Sequence, residues 1–301
     1  MHLTIDIGNT ATKIAVFESQ KEQQQRLLHS QNSNPKERSL QTETPKEPSE
    51  GDISINQEAE AIQVLQPTAF LRIDGHNLVG LKDFASEWDF DACMVSSTAN
   101  VTEEMKQQIA DTGIEHIYYF DSETPIPIRN LYSTPKTLGP DRLAAAIGAY
   151  FEGYKLWGKH TPILIIDSGS AITYDFVNEA GEYLGGNISP GVEMRFRALH
   201  EFTAKLPHVQ AYAEGDFTVI GNSTETAIRH GVMDGVKHEI QGFICQFLSK
   251  YPNLCVFLTG GDSFDFEEQV KNRIFADKFL VSKGLNIILQ HIHQKSLKFS
   301  V

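Results

Sequence analysis

The hydrophobic pattern opens with two β-type runs, Leu3–Asp6 and Ala11–Phe17, on either side of Gly8-Asn9-Thr10. Gly tolerates positive φ and Asn tolerates the left-handed region, so the pattern predicts a tight hairpin with Asp6 closing its first strand. The same pattern returns in Ile163–Val177, where Asp167 precedes a Gly169-Ser170 turn and a second strand. Aligned by position, Asp6 meets Asp167, Gly8 meets Gly169, Asn9 meets Ser170 and Thr12 meets Thr173. The copies stand a whole domain length apart, too far for a solenoid repeat. One such turn is an ordinary hairpin. Two of them, at the starts of two half-chains, predict a duplicated domain with a nucleotide in the cleft between the halves.

Between the hairpins the pattern changes character. Glu18–Glu60 is polar and free of aromatics, which predicts a solvated surface insertion or disorder, with short edge strands open at Gln25–His29 and Asp52–Ile55. Packed structure resumes at Ala61–Arg72. Helices are expected over Asn77–Trp88 and Thr102–Thr112, the second opened by a capping Thr102, and strands over Cys93–Ser97 and Glu115–Phe120. This order fits an α/β layer of mixed strand direction. Thr124–Pro140 is punctuated by proline and reads as a shaped loop delivering Asp141-Arg142 to the first turn of an amphipathic helix, Asp141–Trp157. After the second hairpin, Gly185–Gly191 reads as a glycine-rich loop opening a helix over Val192–Lys205. A long helix from Thr226 to about Lys250, a strand Asn253–Thr259 ending in Gly260-Gly261, and a helix Leu280–Ile292 packed on the second domain complete the reading.

Composition narrows the class of function. The 301 residues suffice for one large or two ordinary domains, and the apolar and charged fractions of 41% and 22% are those of a soluble globular protein. A net charge of −13 disfavours a nonspecific grip on nucleic acid or an anionic membrane. The three cysteines, Cys93, Cys245 and Cys255, lie in apolar runs without metal-site spacing and read as buried structural residues. The absence of a leader or a spanning apolar run points to a cytosolic protein.

The candidate chemistry follows from the hairpins. Backbone N–H groups at Asn9, Thr10, Ser170 and Ala171 suit phosphates, and Asp6 and Asp167 suit cations, one Mg²⁺ and the other a further cation or the substrate side. Lys13 is either a phosphate contact or a solvated strand residue. Asp141 is either a dipole-favoured first-turn residue or, with Arg142 beside it, the base of a phosphoryl transfer to an alcohol, Arg142 anchoring an anionic acceptor. Gly260-Gly261 is either an adenosine-side loop or a simple turn. The eleven histidines show no metal-site pattern.

DIGNT at 6–10, LGPDR at 138–142, DSGSAIT at 167–173, GGNISPG at 185–191, TAKLP at 203–207, IGNST at 220–224 and LTGG at 258–261 occur in the order seen in type III pantothenate kinases. The chain resembles that family over all but Glu18–Glu60. The resemblance implies an α/β fold of two ribonuclease-H-like (actin-like ATPase) domains, taken here as 1–122 and 123–301, with the nucleotide cleft between them. It also implies a homodimer, ATP-dependent phosphorylation of pantothenate as the first step to coenzyme A, and a monovalent cation, K⁺ or NH₄⁺, beside Mg²⁺. Carried over by position, Asp6, Ile7, Gly8, Asn9, Thr10, Ala11, Thr12 and Lys13 form the first ATP phosphate loop, with Ser170 contacting ATP from the second. Tyr132, Gly139, Pro140, Asp141 and Arg142 hold pantothenate, and Asp141 is the proton acceptor. Asp167 ligates the monovalent cation, Asp6 serves Mg²⁺ directly or through water, and Thr224 reaches pantothenate across the dimer interface. Where the family usually carries Thr, Ser170 keeps the hydroxyl and loses a methyl; an Arg usual near Ala11–Thr12 is missing. Two alternatives stand beside this reading: a catalytically silent relative acting as a regulator, and a kinase for another small hydroxylated acid or sugar.

Overall fold

Alternation of apolar side chains builds the first sheet. The computed structural model describes residues 1–18, 62–211, 220–262 and 273–298. β1 (His2–Ile7) turns into β2 (Ala11–Phe17), then β3 (Ala69–Asp74), a short helix α1 (Leu81–Ala85), β4 (Ala92–Ser97), α2 (Glu103–Ala110) and β5 (His116–Tyr119). Leu3, Ile5, Ile7, Ile14 and Val16 point to one face and bury against Leu81, Met105 and Ile109 of α1 and α2. The Thr102 hydroxyl accepts from the Met105 N–H at 3.2 Å and caps α2 as its sequence predicts. The two edge strands proposed within 18–60 lie outside the described residues.

The second sheet repeats the first. It runs from β6 (Arg129–Asn130), through α3 (Pro140–Trp157), to β7 (Ile163–Ser168), β8 (Ala171–Val177) and β9 (Glu182–Pro190). α4 (Val192–Glu201) and α5 (Thr224–Lys250) follow, then β10 (Cys255–Gly260), β11 (Ile274–Ala276) and α6 (Leu280–Lys298). The strand order β3-β2-β1-β4-β5 of the first sheet matches β9-β8-β7-β10-β11 of the second, with β6 added outside β9. In both, the first three strands are antiparallel and the last two run parallel to the first. The duplication read from the hairpins therefore extends to the whole sheet topology.

Among the described residues three apolar cores are stacked in layers. The first lies under α1 and α2. The second joins Ala92 and Met94 of sheet one to Ile163, Ile165 and Phe257 of sheet two through α3 and α6. The third buries Leu164, Ile166, Tyr174 and Phe176 beneath α4 and α5. α3 and α6 cross at glycines: a Cβ on Gly284 would lie 1.8 Å from the Ala144 carbonyl oxygen, and one on Gly148 2.3 Å from that of Leu280. Buried Lys283 of α6 bonds Glu152 at 2.9 Å and Asp277 at 2.6 Å beside this crossing.

Several expectations change. The helix over Asn77–Trp88 shrinks to α1, because Gly80 sits at φ +85° immediately before it. Gly185–Pro190 is not a loop but most of strand β9, Gly191 is the N-cap of α4, and α4 ends at Glu201. Its glycines answer to close packing: a Cβ on Gly186 would lie 1.9 Å from the Tyr174 carbonyl oxygen on β8. α6 packs on β1, β2 and β4 of the first sheet as well as on α3. Cys93 is buried, whereas Cys255 is half-buried and Cys245 exposed on α5.

Candidate active site

The two hairpin tips meet. Thr10 Oγ1 and Ser170 Oγ stand 2.5 Å apart, bringing together the turns that open the two halves of the duplication. Gly8 N donates to Ala11 O at 3.1 Å, and Gly169 N donates to Ala171 O at 3.1 Å. The first tip is one residue longer, since Ile7 faces Thr12 while Ser168 faces Ile172. Lys13, rather than Thr12, therefore stands opposite Asp6, as Thr173 stands opposite Asp167. Ile7, Ala11 and Thr12 are buried, and the Thr12 hydroxyl donates to the Gly75 carbonyl at 3.3 Å, while Asn9 and Thr10 are exposed at the tip.

Three carboxylates converge beneath the tips. Asp6 is the penultimate residue of β1, its Oδ1 buried without a partner while Ser96 hydrogen-bonds the carboxylate. Burial pushes its pKa up to about 7; Lys13 opposes the rise, and the charges of Asp141 and Asp167 add to it. Burial likewise lifts Asp167 to about 6, again against Lys13 and with Asp141, Asp175 and Asp262 reinforcing it. Asp141, in the first turn of α3, is raised chiefly by burial, against the backbone N–H of Arg142, which donates to its Oδ1 at 2.9 Å. Each folded-state value lies above the unfolded one, so each carboxylate costs stability as pH rises through the window between them. A cation removes that cost. Among the described residues no three His, Cys, Asp or Glu side chains close on one ion. The set fits Mg²⁺, which takes one or two carboxylates and completes its shell with water and phosphate oxygens.

The loop Thr124–Gly139 shapes the other wall. The Pro135–Thr137 turn leads to Gly139, where a Cβ would lie 2.6 Å from Asp141 Oδ1. Pro140 occupies the first turn of α3, where its missing N–H costs nothing. Arg142 is 7% exposed and its Nε and Nη2 clasp Asp175 of β8, itself 1% exposed, at 2.6–3.2 Å. The Tyr183 hydroxyl donates to the same Asp175 oxygen at 2.6 Å, and the Tyr132 ring lies 5.9 Å from the guanidinium carbon. Sequence reasoning named Arg142 and Tyr132 but missed Asp175 and Tyr183. The available signal was an acidic residue inside the apolar run Tyr174–Val177, which needs a buried cation or hydrogen-bond donors to compensate it.

The remaining candidates spread along the second sheet. Gly260 sits at φ +103° with Ser168 O 2.1 Å from a Cβ built on it, so this glycine is demanded by the chain's own backbone. Ser168 Oγ donates to Asp262 at 2.9 Å behind Asp167. Gly191 packs directly on the second tip, where a Cβ would lie 2.2 Å from Gly169 O. Thr224 is exposed at the start of α5, next to the Ser223–Thr226 capping box.

Two copies of one sheet topology, joined at Gly-containing tips over buried carboxylates, define a duplicated α/β fold with its site at the junction. The sequence model for type III pantothenate kinases matches residues 2–246. The type III pantothenate kinase of Bacteroides fragilis is 38% identical over 291 residues, spanning 97% of this chain and 98% of that one. That of Phocaeicola vulgatus is also 38% identical over 97% and 98% of the two chains. That of Azobacteroides pseudotrichonymphae is 43% identical over 71% and 86%. A solved Baf-family protein from Campylobacter jejuni shares the fold, with a TM-score of 0.50 at 16% identity over 97% of this chain and 99% of its own. The chain belongs to the type III pantothenate kinase family. Among the described residues no helix is long and apolar enough to cross a membrane.

Proposed function

We propose that the chain transfers the γ-phosphoryl group of ATP to the 4′-hydroxyl of pantothenate, the first step of coenzyme A biosynthesis. The observation that carries the site is the convergence of Asp6, Asp141 and Asp167 beneath the joined tips. In this reading Asn9 to Lys13 and Ser170 hold the ATP phosphates, and Tyr132, Gly139, Pro140 and Arg142 hold pantothenate. Asp141 Oδ1 is fixed by the Arg142 N–H, leaving Oδ2 to accept the hydroxyl proton as the oxygen attacks phosphorus and ADP departs. Burial makes Asp141 a stronger base than an exposed Asp. Mg²⁺ at Asp6 would neutralise charge developing on the phosphates. Asp167 would hold K⁺ or NH₄⁺, and the two sheets would form domains divided near residue 122, in a cytosolic enzyme with no nucleic-acid partner. The silent-regulator alternative is not favoured, because the carboxylates of a turnover site are all present.

ADP release with ATP, Mg²⁺ and pantothenate should be strong in K⁺ and weak in Na⁺. Equal rates in both salts would remove the cation role of Asp167, and no pantothenate-dependent release would remove the kinase reading. Acceptance of other hydroxylated acids or sugars at equal rate would favour the broader kinase.

The homodimer reading draws on exposed apolar side chains of the second half of the chain. Ile188 of β9 is 63% exposed, Phe202 after α4 84% and Ile220 before α5 79%, and burial of such side chains against a second copy would remove apolar surface from water. Ile188→Asp is expected to give monomers by light scattering and to weaken pantothenate saturation, since Thr224 would no longer reach the partner's site. An unchanged dimer would move the interface elsewhere.

A further inference from the structure

Asp175 touches neither hairpin tip, yet it occupies both inner donors of Arg142. Its two oxygens take Nε and Nη2 in a fork, Oδ1 at 3.1 and 2.6 Å and Oδ2 at 3.2 Å, and the Tyr183 hydroxyl adds a third donor to Oδ1 at 2.6 Å. A two-point clasp of this kind fixes the plane of a guanidinium, not merely its distance. Nη1 has no bond to Asp175, and the Tyr132 side chain adds a further hydrogen bond to the guanidinium. Tyr132 closes over the guanidinium carbon and packs its ring where a Cβ on Gly185 would stand only 2.9 Å away. A buried ion pair is poor value as a stabiliser, because desolvation offsets its attraction. A geometric role accounts for it better.

We propose that Asp175, supported by the Tyr183 hydroxyl, is the positioning residue of the acceptor site: it orients the Arg142 guanidinium and with it the first turn of α3 that carries Asp141. The proposal rests on the pantothenate kinase reading. It also makes Arg142 a directional donor with its charge compensated, so the acceptor is recognised by hydrogen-bond geometry more than by net attraction.

The test is steady-state kinetics of the full chain for both substrates, with wild type, Asp175→Asn, Tyr183→Phe, Arg142→Gln and the Arg142→Gln/Asp175→Asn double variant. Asp175→Asn should raise the KM for pantothenate about tenfold, the loss of one charge-assisted hydrogen bond, with a smaller fall in kcat and an unchanged KM for ATP. Tyr183→Phe should shift the pantothenate KM in the same direction by less. Because Asp175 acts through Arg142, the double variant should be no worse in pantothenate KM than Arg142→Gln alone. Additive losses, a parallel rise in the KM for ATP, or no change in pantothenate KM would each overturn the proposal. If Asp175→Asn does not fold, Tyr183→Phe, which keeps the ion pair, decides it. A wild-type chain that never turns over pantothenate refutes the kinase reading and this inference together; an active wild type with flat variants refutes the inference alone.

Discussion

Asp141→Asn is expected to lower pantothenate turnover by about two to four orders of magnitude, the usual range for losing a general base, while ATP binding persists. The substitution is nearly isosteric. Asn keeps an oxygen to accept the Arg142 N–H at 2.9 Å, so the first turn of α3 should hold its shape. What disappears is the oxygen that takes the proton. The charge of Asp141 also raises the pKa of Asp6 and of Asp167, so its removal should lower both and leave the cation side of the site no weaker. Rapid-quench or steady-state ADP release, paired with calorimetric ATP titration, separates these effects. Loss of ATP binding in proportion to turnover would remove Asp141 from the role of base.

Gly284→Ala should be the most damaging single methyl in the described fold. By helix propensity alone, Ala would stabilise α6 by about 1 kcal/mol. The new Cβ, however, would stand 1.8 Å from the Ala144 carbonyl oxygen and 2.5 Å from its carbon, both backbone atoms of α3 that cannot rotate away. Overpacking of this kind costs about 3 kcal/mol or more, so the clash wins. A fall in Tm of about 3–5 °C is expected by thermal unfolding. Gly231→Ala on α5 is the control: nothing lies within 4 Å of its Cβ, and there propensity should prevail with a small rise. A Gly284→Ala protein as stable as wild type would mean that α3 and α6 do not cross there.

The legible parts of the sequence were those with a local cause. Alternation and a Gly-Asn turn are enough to place β1 and β2, and repetition of Asp-x-Gly is enough to relate Asp167 to Asp6. Thr102 caps α2 through its own side chain, three residues from its partner. What escaped was set by distant chain. Gly185-Gly186 look like a loop in isolation, and only the approach of β8 and Tyr132 makes them strand residues. Asp175 looks anomalous until α3 brings Arg142 to it from 33 positions away. The extra residue in the first tip is invisible to alignment by position, because register is fixed by pairing across the hairpin and not by order along it.

α6 also has a consequence for how the molecule comes into being. It covers β1, β2 and β4, and Asn286 bonds His2 at 2.8 Å across 284 positions of chain. A ribosome therefore completes the strands of the first sheet long before it makes the helix that shields their inner face. At roughly 5–20 residues per second that face waits on the order of ten seconds, exposed to whatever else is in the cell. The inner face of the first sheet thus stays without its α6 cover through most of synthesis, and the last helix is the element that closes it.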